Sequence, residues 1–164
     1  MIQVAIVTVS DSAVSGARAD RSGPMLRERL EGLGFAARAP ELVPDEREQI
    51  AALLRRLADS TQAPVILTTG GTGVAPRDVT PEATRDVIER ELPGLGELMR
   101  AEGLKSTPYA PLSRAVAGVR GRALIVNLPG SPKGAVQSLD AIAKLIPHIV
   151  DLLEGRTSHA DVPH

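Results

Sequence analysis

Cysteine is absent from the 164-residue chain. Its absence removes disulfides, thiolate metal ligands and cysteine nucleophiles, and it fits a reducing compartment. Tryptophan is also missing, and Phe35 and Tyr109 are the only aromatic residues. Two aromatics are too few to stack successive bases of single-stranded nucleic acid. Charge of either sign is nearly balanced, with a formal net charge of −1. No basic footprint therefore points to nucleic acid or to an acidic membrane surface. No apolar run approaches the ~18 residues of a membrane span. The N-terminus opens into a strand-like run without the basic segment of a signal peptide, so the expected setting is the cytoplasm. The histidines, His148, His159 and His164, have no metal-site spacing, and none neighbours a candidate serine nucleophile.

What is present suits an ordinary globular fold: 43% of residues are hydrophobic and 24% charged. The length corresponds to about one domain, enough to bury a core without covalent staples. The expected organisation is a domain over 1–155 and a flexible tail over 156–164.

Ile2 to Val9 is apolar and β-branched almost throughout, as a strand covered on both faces should be. Leu26, Leu30 and Leu33 then share a helical face, and Gly34 is a natural stop. Phe35 to Val43 reads as a second strand despite Pro40. Asp45, with Glu48 three residues on, predicts a capping box for a helix whose buried stripe is Ile50, Leu53, Leu54 and Leu57. Val65 to Thr68 reads as a strand. Thr80 and Pro81 fit the N-cap and first position of a helix running to about Glu91, where Pro93 and Gly94 break it. A short helix is expected from Leu95 to about Glu102. Val116–Val119 and Ala123–Leu128 read as strands joined tightly through Arg120-Gly121-Arg122. A long final helix buries Val136, Leu139, Ile142, Ala143, Ile146, Ile149, Val150 and Leu153, with a kink at Pro147 and an end at Gly155. The alternation predicts an α/β fold: three layers, doubly wound, with a mostly parallel sheet and helices on both faces.

Two loops stand out, Thr69–Asp78 and Pro129–Gly134. Each ends a strand and opens a helix, so both should lie at the carboxyl edge of the sheet, where such folds bind ligands. Gly70, Gly71 and Gly73 permit a tight turn and expose backbone N–H groups to an anion, most often a phosphate. The loop lacks the Gly-Lys-Ser/Thr of a Walker A motif and the spacing of a dinucleotide fingerprint. Asp78 lies just past the glycines, where a metal or polar substrate group would sit. Asp45 is either a helix cap or, being at the same edge, a second carboxylate reaching one Mg²⁺ together with substrate phosphates. Asp11, Ser12, Asp20 and Ser22 follow the first strand and either bind polar ligand atoms or cap turns. Arg77 and Lys133 are positioned to meet phosphate or to be solvated.

Several long motifs occur in order: Val7-Thr8-Val9-Ser10-Asp11, Asp20-Arg21-Ser22-Gly23, Leu42-Val43-Pro44-Asp45-Glu46, Thr69-Gly70-Gly71-Thr72-Gly73, Arg77-Asp78-Val79-Thr80-Pro81-Glu82-Ala83 and Asn127-Leu128-Pro129-Gly130-Ser131-Pro132-Lys133-Gly134. Together they resemble the molybdopterin-binding family of molybdenum cofactor biosynthesis. The similarity runs from about Ile2 to Gly155. It implies adenylylation of molybdopterin with Mg-ATP, releasing pyrophosphate before molybdate insertion. It also implies a trimer or hexamer and hand-over to a molybdate-insertion protein. By the same resemblance, Asp45 and Asp78 are the catalytic, Mg²⁺-holding carboxylates. Ser12, Thr69, Gly70, Gly71, Thr72, Gly73, Arg77, Pro129, Gly130, Ser131 and Lys133 are the implied substrate contacts. The Ser131-Pro132-Lys133-Gly134 loop is similar to the family's shorter branch, which leaves two alternatives: a non-catalytic molybdopterin carrier, or a molybdate-insertion domain.

Overall fold

The computed structural model describes residues 1–156; of the expected tail over 156–164, all but Arg156 lies outside the described residues. Seven strands form one sheet: β1 (Gln3–Val9), β2 (Ala36–Ala37), β3 (Glu41–Val43), β4 (Val65–Thr69), β5 (Arg90–Glu91), β6 (Ala117–Arg120) and β7 (Ala123–Leu128). Their order is β2-β1-β4-β7-β6-β5, and β3 pairs with β1 on the same side as β2. The strands from β2 to β7 run parallel, whereas β6 and β5 are added antiparallel. Seven α-helices accompany them among the described residues: α1 (Asp11–Ser15), α2 (Ser22–Gly32), α3 (Arg47–Asp59), α4 (Thr80–Arg85), α5 (Pro93–Gly103), α6 (Pro132–Ile142) and α7 (Ile146–Leu153).

Side-chain alternation splits each central strand between two cores. Val4 and Ile6, Val65 and Leu67, and Leu124, Val126 and Leu128 pack with Leu26 and Leu30 of α2, Met99 of α5, Leu139 and Ile142 of α6, and Val150 of α7. Ala5, Val7 and Val9, Ile66, and Ala123 and Ile125 face Ile50, Leu54 and Leu57 of α3 and Ala83 of α4. The result is the expected three-layer α/β sandwich. Leu26, Leu30, Leu139 and Ile142 are fully buried, each stabilising the fold by roughly 1.5–3 kcal/mol. A small polar cluster sits beside the second core. Asn127 donates to Thr68 Oγ1 (3.0 Å) and Thr84 Oγ1 (2.8 Å) and accepts from the Val116 amide (3.1 Å), so its burial leaves no orphaned polar atom.

Several local expectations differ from the structure. The stretch Phe35–Val43 is two short strands, because Pro40 cannot donate to the ladder. Asp45 does not cap α3: the helix begins at Arg47 after Glu46, with no side-chain cap. Thr80 is inside α4 rather than its cap, and the helix stops at Arg85. Beyond it, the Glu89 and Leu92 amides donate to Val119 and Ala117 carbonyls, drawing Arg90–Glu91 into the sheet as β5. Pro93, expected as a breaker, opens α5 from its first turn. The long last helix is two helices. Pro147, which has no N–H, sits in the first turn of α7, and a turn over 143–145 replaces the kink. The hairpin between β6 and β7 is as tight as expected, with Gly121 at φ +55° on the first central position of a two-residue loop.

Candidate active site

Parallel strands deliver their C-terminal loops to one edge, and here four loops converge. They follow β1 (residues 10–21, with α1 inside), β3 (44–46), β4 (70–79) and β7 (129–131). Between them lies a cleft of about 630 Å³. Ser12, Asp45, Thr69, Gly70, Gly71, Asp78, Gly130 and Ser131, all expected at the site, line it.

The glycine loop is shaped by packing as much as by ligand access. Gly70 has φ +101°, and a Cβ there would overlap the Val9 carbonyl oxygen of β1. Its N–H is already donated to the Leu128 carbonyl (3.2 Å). Gly71 has φ +69°, and a Cβ there would overlap Thr80 Oγ1 and stand 3.2 Å from Asp45 Oδ1. Thr80 closes the loop from behind: its hydroxyl donates to the Gly70 carbonyl (2.9 Å) and its amide to the Gly71 carbonyl (3.1 Å). Arg114 holds the far side, donating to the carbonyls of Gly73 (2.7 Å) and Asp78 (2.6 Å) and pairing with Glu82 (2.6 Å). The Gly71 N–H makes no hydrogen bond among the described residues.

Both candidate carboxylates are held by one oxygen only. Asp45 Oδ2 accepts the Asp11 amide (2.9 Å), and Asp78 Oδ2 accepts the Ala75 amide (3.0 Å). Neither Oδ1 has a donor among the described residues. Burial pushes the Asp45 carboxyl above its ordinary value, and the neighbouring charges of Asp11 and Asp78 push the same way, against the Asp11 amide and Arg77. Among the described residues no three histidine or acidic side chains gather into a metal cage. Two carboxylates with one free oxygen each are instead the donor set Mg²⁺ uses when substrate phosphates complete its shell.

Other expected contacts fall elsewhere. Thr72 is buried and Gly73 lies behind Asp78, outside the cleft lining. Arg77 is outside the cleft lining and bound to Asp11 and Glu46. Pro129 borders a separate cavity of about 170 Å³ and receives the Thr69 hydroxyl on its carbonyl (2.6 Å). Lys133 is exposed in the first turn of α6, outside the cleft lining, and Ser131 caps that helix through the Gly134 amide (3.1 Å). Asp20 and Ser22 do border the cleft, while Asp20 also accepts from Gly23 N (3.1 Å) and Thr8 Oγ1 (2.8 Å), so both alternatives for this loop stay open. Two charged lining residues were given no role from the sequence, Arg18 and Arg21, although Arg21 lies within the Asp20-Arg21-Ser22-Gly23 motif. Neither side chain has a hydrogen-bond or ion-pair partner among the described residues, so the cleft carries two cationic donors. The signal was only their position after β1.

Among the described residues no helix is long and apolar enough to cross a membrane. The chain is 44% identical to the molybdopterin adenylyltransferase of Helicobacter pylori (strain J99 / ATCC 700824), over 94% of this chain and 89% of that protein. It is also 44% identical to the molybdenum cofactor synthesis protein cinnamon of Drosophila melanogaster, over 98% of this chain, but spans only 28% of that longer protein. The crystal structure of the molybdopterin biosynthesis enzyme MoaB from Thermus thermophilus superposes with a TM-score of 0.88 at 55% identity, covering 94% of this chain and 98% of that one. A family described as "Probable molybdopterin binding domain" matches residues 5–148. With that match and these relatives, the chain belongs to the molybdopterin-binding family of molybdenum cofactor biosynthesis.

Proposed function

We propose that the cleft adenylylates molybdopterin with Mg-ATP, releasing pyrophosphate ahead of molybdate insertion. The observation that carries this reading is the pair Asp45 and Asp78, each with one oxygen held by a backbone amide and the other without a donor among the described residues, at the mouth of the glycine loop. The names of the adenylyltransferase relatives support it independently.

A terminal phosphate oxygen of molybdopterin attacks the α-phosphorus of ATP. The bond from that phosphorus to the α–β bridging oxygen breaks, and its electron pair leaves with pyrophosphate. The nucleophile is already anionic, so no side chain has to remove a proton. The obstacle is repulsion between two polyanions, and the site's task is alignment and charge compensation. Arg18 and Arg21 supply cationic donors, and the free Gly71 N–H is a fixed dipole at the loop. Asp45 and Asp78 would hold Mg²⁺, which supplies Lewis-acid charge neutralisation on the phosphates. Assembly as a trimer or hexamer, a cytoplasmic setting with ATP to hand and transfer of the product to a molybdate-insertion protein belong to the same reading.

The test is direct. Incubated with molybdopterin, ATP and Mg²⁺, the protein should yield adenylylated pterin and stoichiometric pyrophosphate. Tight pterin binding with no pyrophosphate would instead identify a non-catalytic carrier, and no pterin binding would remove both readings.

A further inference from the structure

Behind Asp45 stands an acidic residue that does not border the cleft. Asp11 opens α1, and its Oδ1 accepts the Asp45 amide at 3.0 Å while its own amide donates to Asp45 Oδ2. Two carboxylates are thus locked together by reciprocal backbone bonds, an arrangement their like charges oppose. Arg77 offsets that repulsion. Its Nε donates to Asp11 Oδ2 at 2.7 Å and its Nη2 to Asp11 Oδ1 at 3.1 Å. The same Nη2 reaches Glu46 Oε1, beside Asp45, at 3.0 Å. The guanidinium pulls the Asp11 carboxyl below its ordinary value, opposite in direction to Asp45.

All three partners are about half exposed, so the ion pairs add little to global stability. Their geometry does more. The fork joins the loop after β1, the loop after β3 and the glycine loop. Arg77 is followed directly by Asp78, and Asp11 directly holds Asp45. Seating Arg77 on Asp11 therefore sets where the two cleft carboxylates stand relative to each other.

We propose that Asp11 and Arg77 are positioning residues, a two-membered clamp that fixes the spacing of Asp45 and Asp78 without touching substrate. The proposal rests on the adenylyl-transfer reading of the cleft. It also reassigns Arg77 from substrate contact to scaffold. The clamp depends on a planar fork, so a lysine, which keeps the charge but not the fork, should fail in the same way as a neutral side chain.

The experiment compares Arg77→Met, Arg77→Lys, Asp11→Asn and the Asp11→Asn/Arg77→Met double variant, with Arg27→Met as a control that breaks an exposed ion pair on α2. Three readouts are taken on the full chain: hydrogen exchange of the Asp11 and Asp45 amides by ¹⁵N NMR, Mn²⁺ affinity with a non-hydrolysable ATP analogue, and kcat and KM of adenylyl transfer. Loss of the clamp should speed Asp45 amide exchange roughly tenfold and weaken Mn²⁺ binding. It should lower kcat ~10- to 100-fold, with KM for molybdopterin nearly unchanged. The double variant should be no worse than the more impaired single, because one device has been broken once. A fall in Tm with unchanged Mn²⁺ affinity would reduce the clamp to ordinary structure, and additive losses or a wild-type-like lysine variant would overturn it. If the wild-type protein forms no adenylylated pterin, the reaction assignment fails, while amide exchange and Mn²⁺ binding still decide the clamp.

Discussion

Gly70→Ala tests how the glycine loop is built, because the structure separates two penalties that usually arrive together. The first is conformational: φ is +101° at Gly70, and an L side chain held at positive φ costs about 1–2 kcal/mol. The second is steric: the new methyl overlaps the Val9 carbonyl oxygen, which belongs to the central strand β1 and cannot swing aside. Forced displacements of that kind cost about 1–3 kcal/mol. Together they predict a loss of about 2–5 kcal/mol, which at ~2–4 °C per kcal/mol for a chain of this size is a fall in Tm of roughly 10 °C. Gly16→Ala is the internal comparison. It has φ +79° but nothing within 4 Å of the added carbon, so it should show only the first penalty, about 1–2 kcal/mol. Gly130→Ala supplies the converse. It has no positive φ, but its Cβ would stand 3.2 Å from Gly70 Cα, so it should cost about 1 kcal/mol and disturb the cleft more than the fold. Calorimetric melting of the three variants, with urea midpoints as a check, ranks them. If Gly70→Ala melts no lower than Gly16→Ala, the overlap with Val9 does not shape the loop and the reasoning fails.

Other perturbations address the chemistry and the core. Asp78→Asn should cut adenylyl transfer ~100-fold or more by weakening charge compensation while leaving pterin binding mostly intact; normal turnover would remove its metal role. Asn127→Leu strands the Val116 amide and leaves two buried threonine hydroxyls one partner short, and should lower the urea-derived stability by about 2–4 kcal/mol. Asp59 and Asp86 are held below the usual carboxylate range, chiefly by hydrogen bonds from Arg120 and Arg47. Their contribution is therefore present above the unfolded value near 3.9 and lost as pH falls through the lower folded values. Asp86→Asn should flatten the Tm profile below about pH 4 relative to wild type, and an unchanged slope would refute the pairing.

The parts of the fold legible in the sequence are those decided by burial on both faces. β1, β4 and β7 are apolar runs, and α3 shows its stripe, so their identity follows from local composition. β5 had no such signal. Arg90 and Glu91 are exposed, and only the carbonyls of β6 draw them into the sheet. Asp45 shows the limit of local pattern most plainly: Asp followed by Glu48 matches a capping box, yet its carboxylate answers an amide at Asp11, distant in sequence. Arg77 was placed in the right loop, but its partners Asp11 and Glu46 lie too far off in sequence to be read, for the same reason. Arg18 and Arg21 were assigned no role because a lone arginine in a loop looks the same whether it meets solvent or a cleft.

The pairing of β1 with β4 and of β4 with β7 carries a consequence for how the protein comes into being. Val4 meets Val65, and Val65 meets Leu124, so the central strands join distant parts of the chain. Such a topology closes long loops before it is rewarded and folds slowly for its size. During synthesis, Asp11 and Asp45 emerge long before Gly130 does, and the cleft has no fourth wall until β7 has docked. A half-made chain thus has no cleft to close on a nucleotide. Ligand that binds only the finished edge stabilises the completed fold by mass action, making occupancy of the cleft a report that the whole sheet has formed.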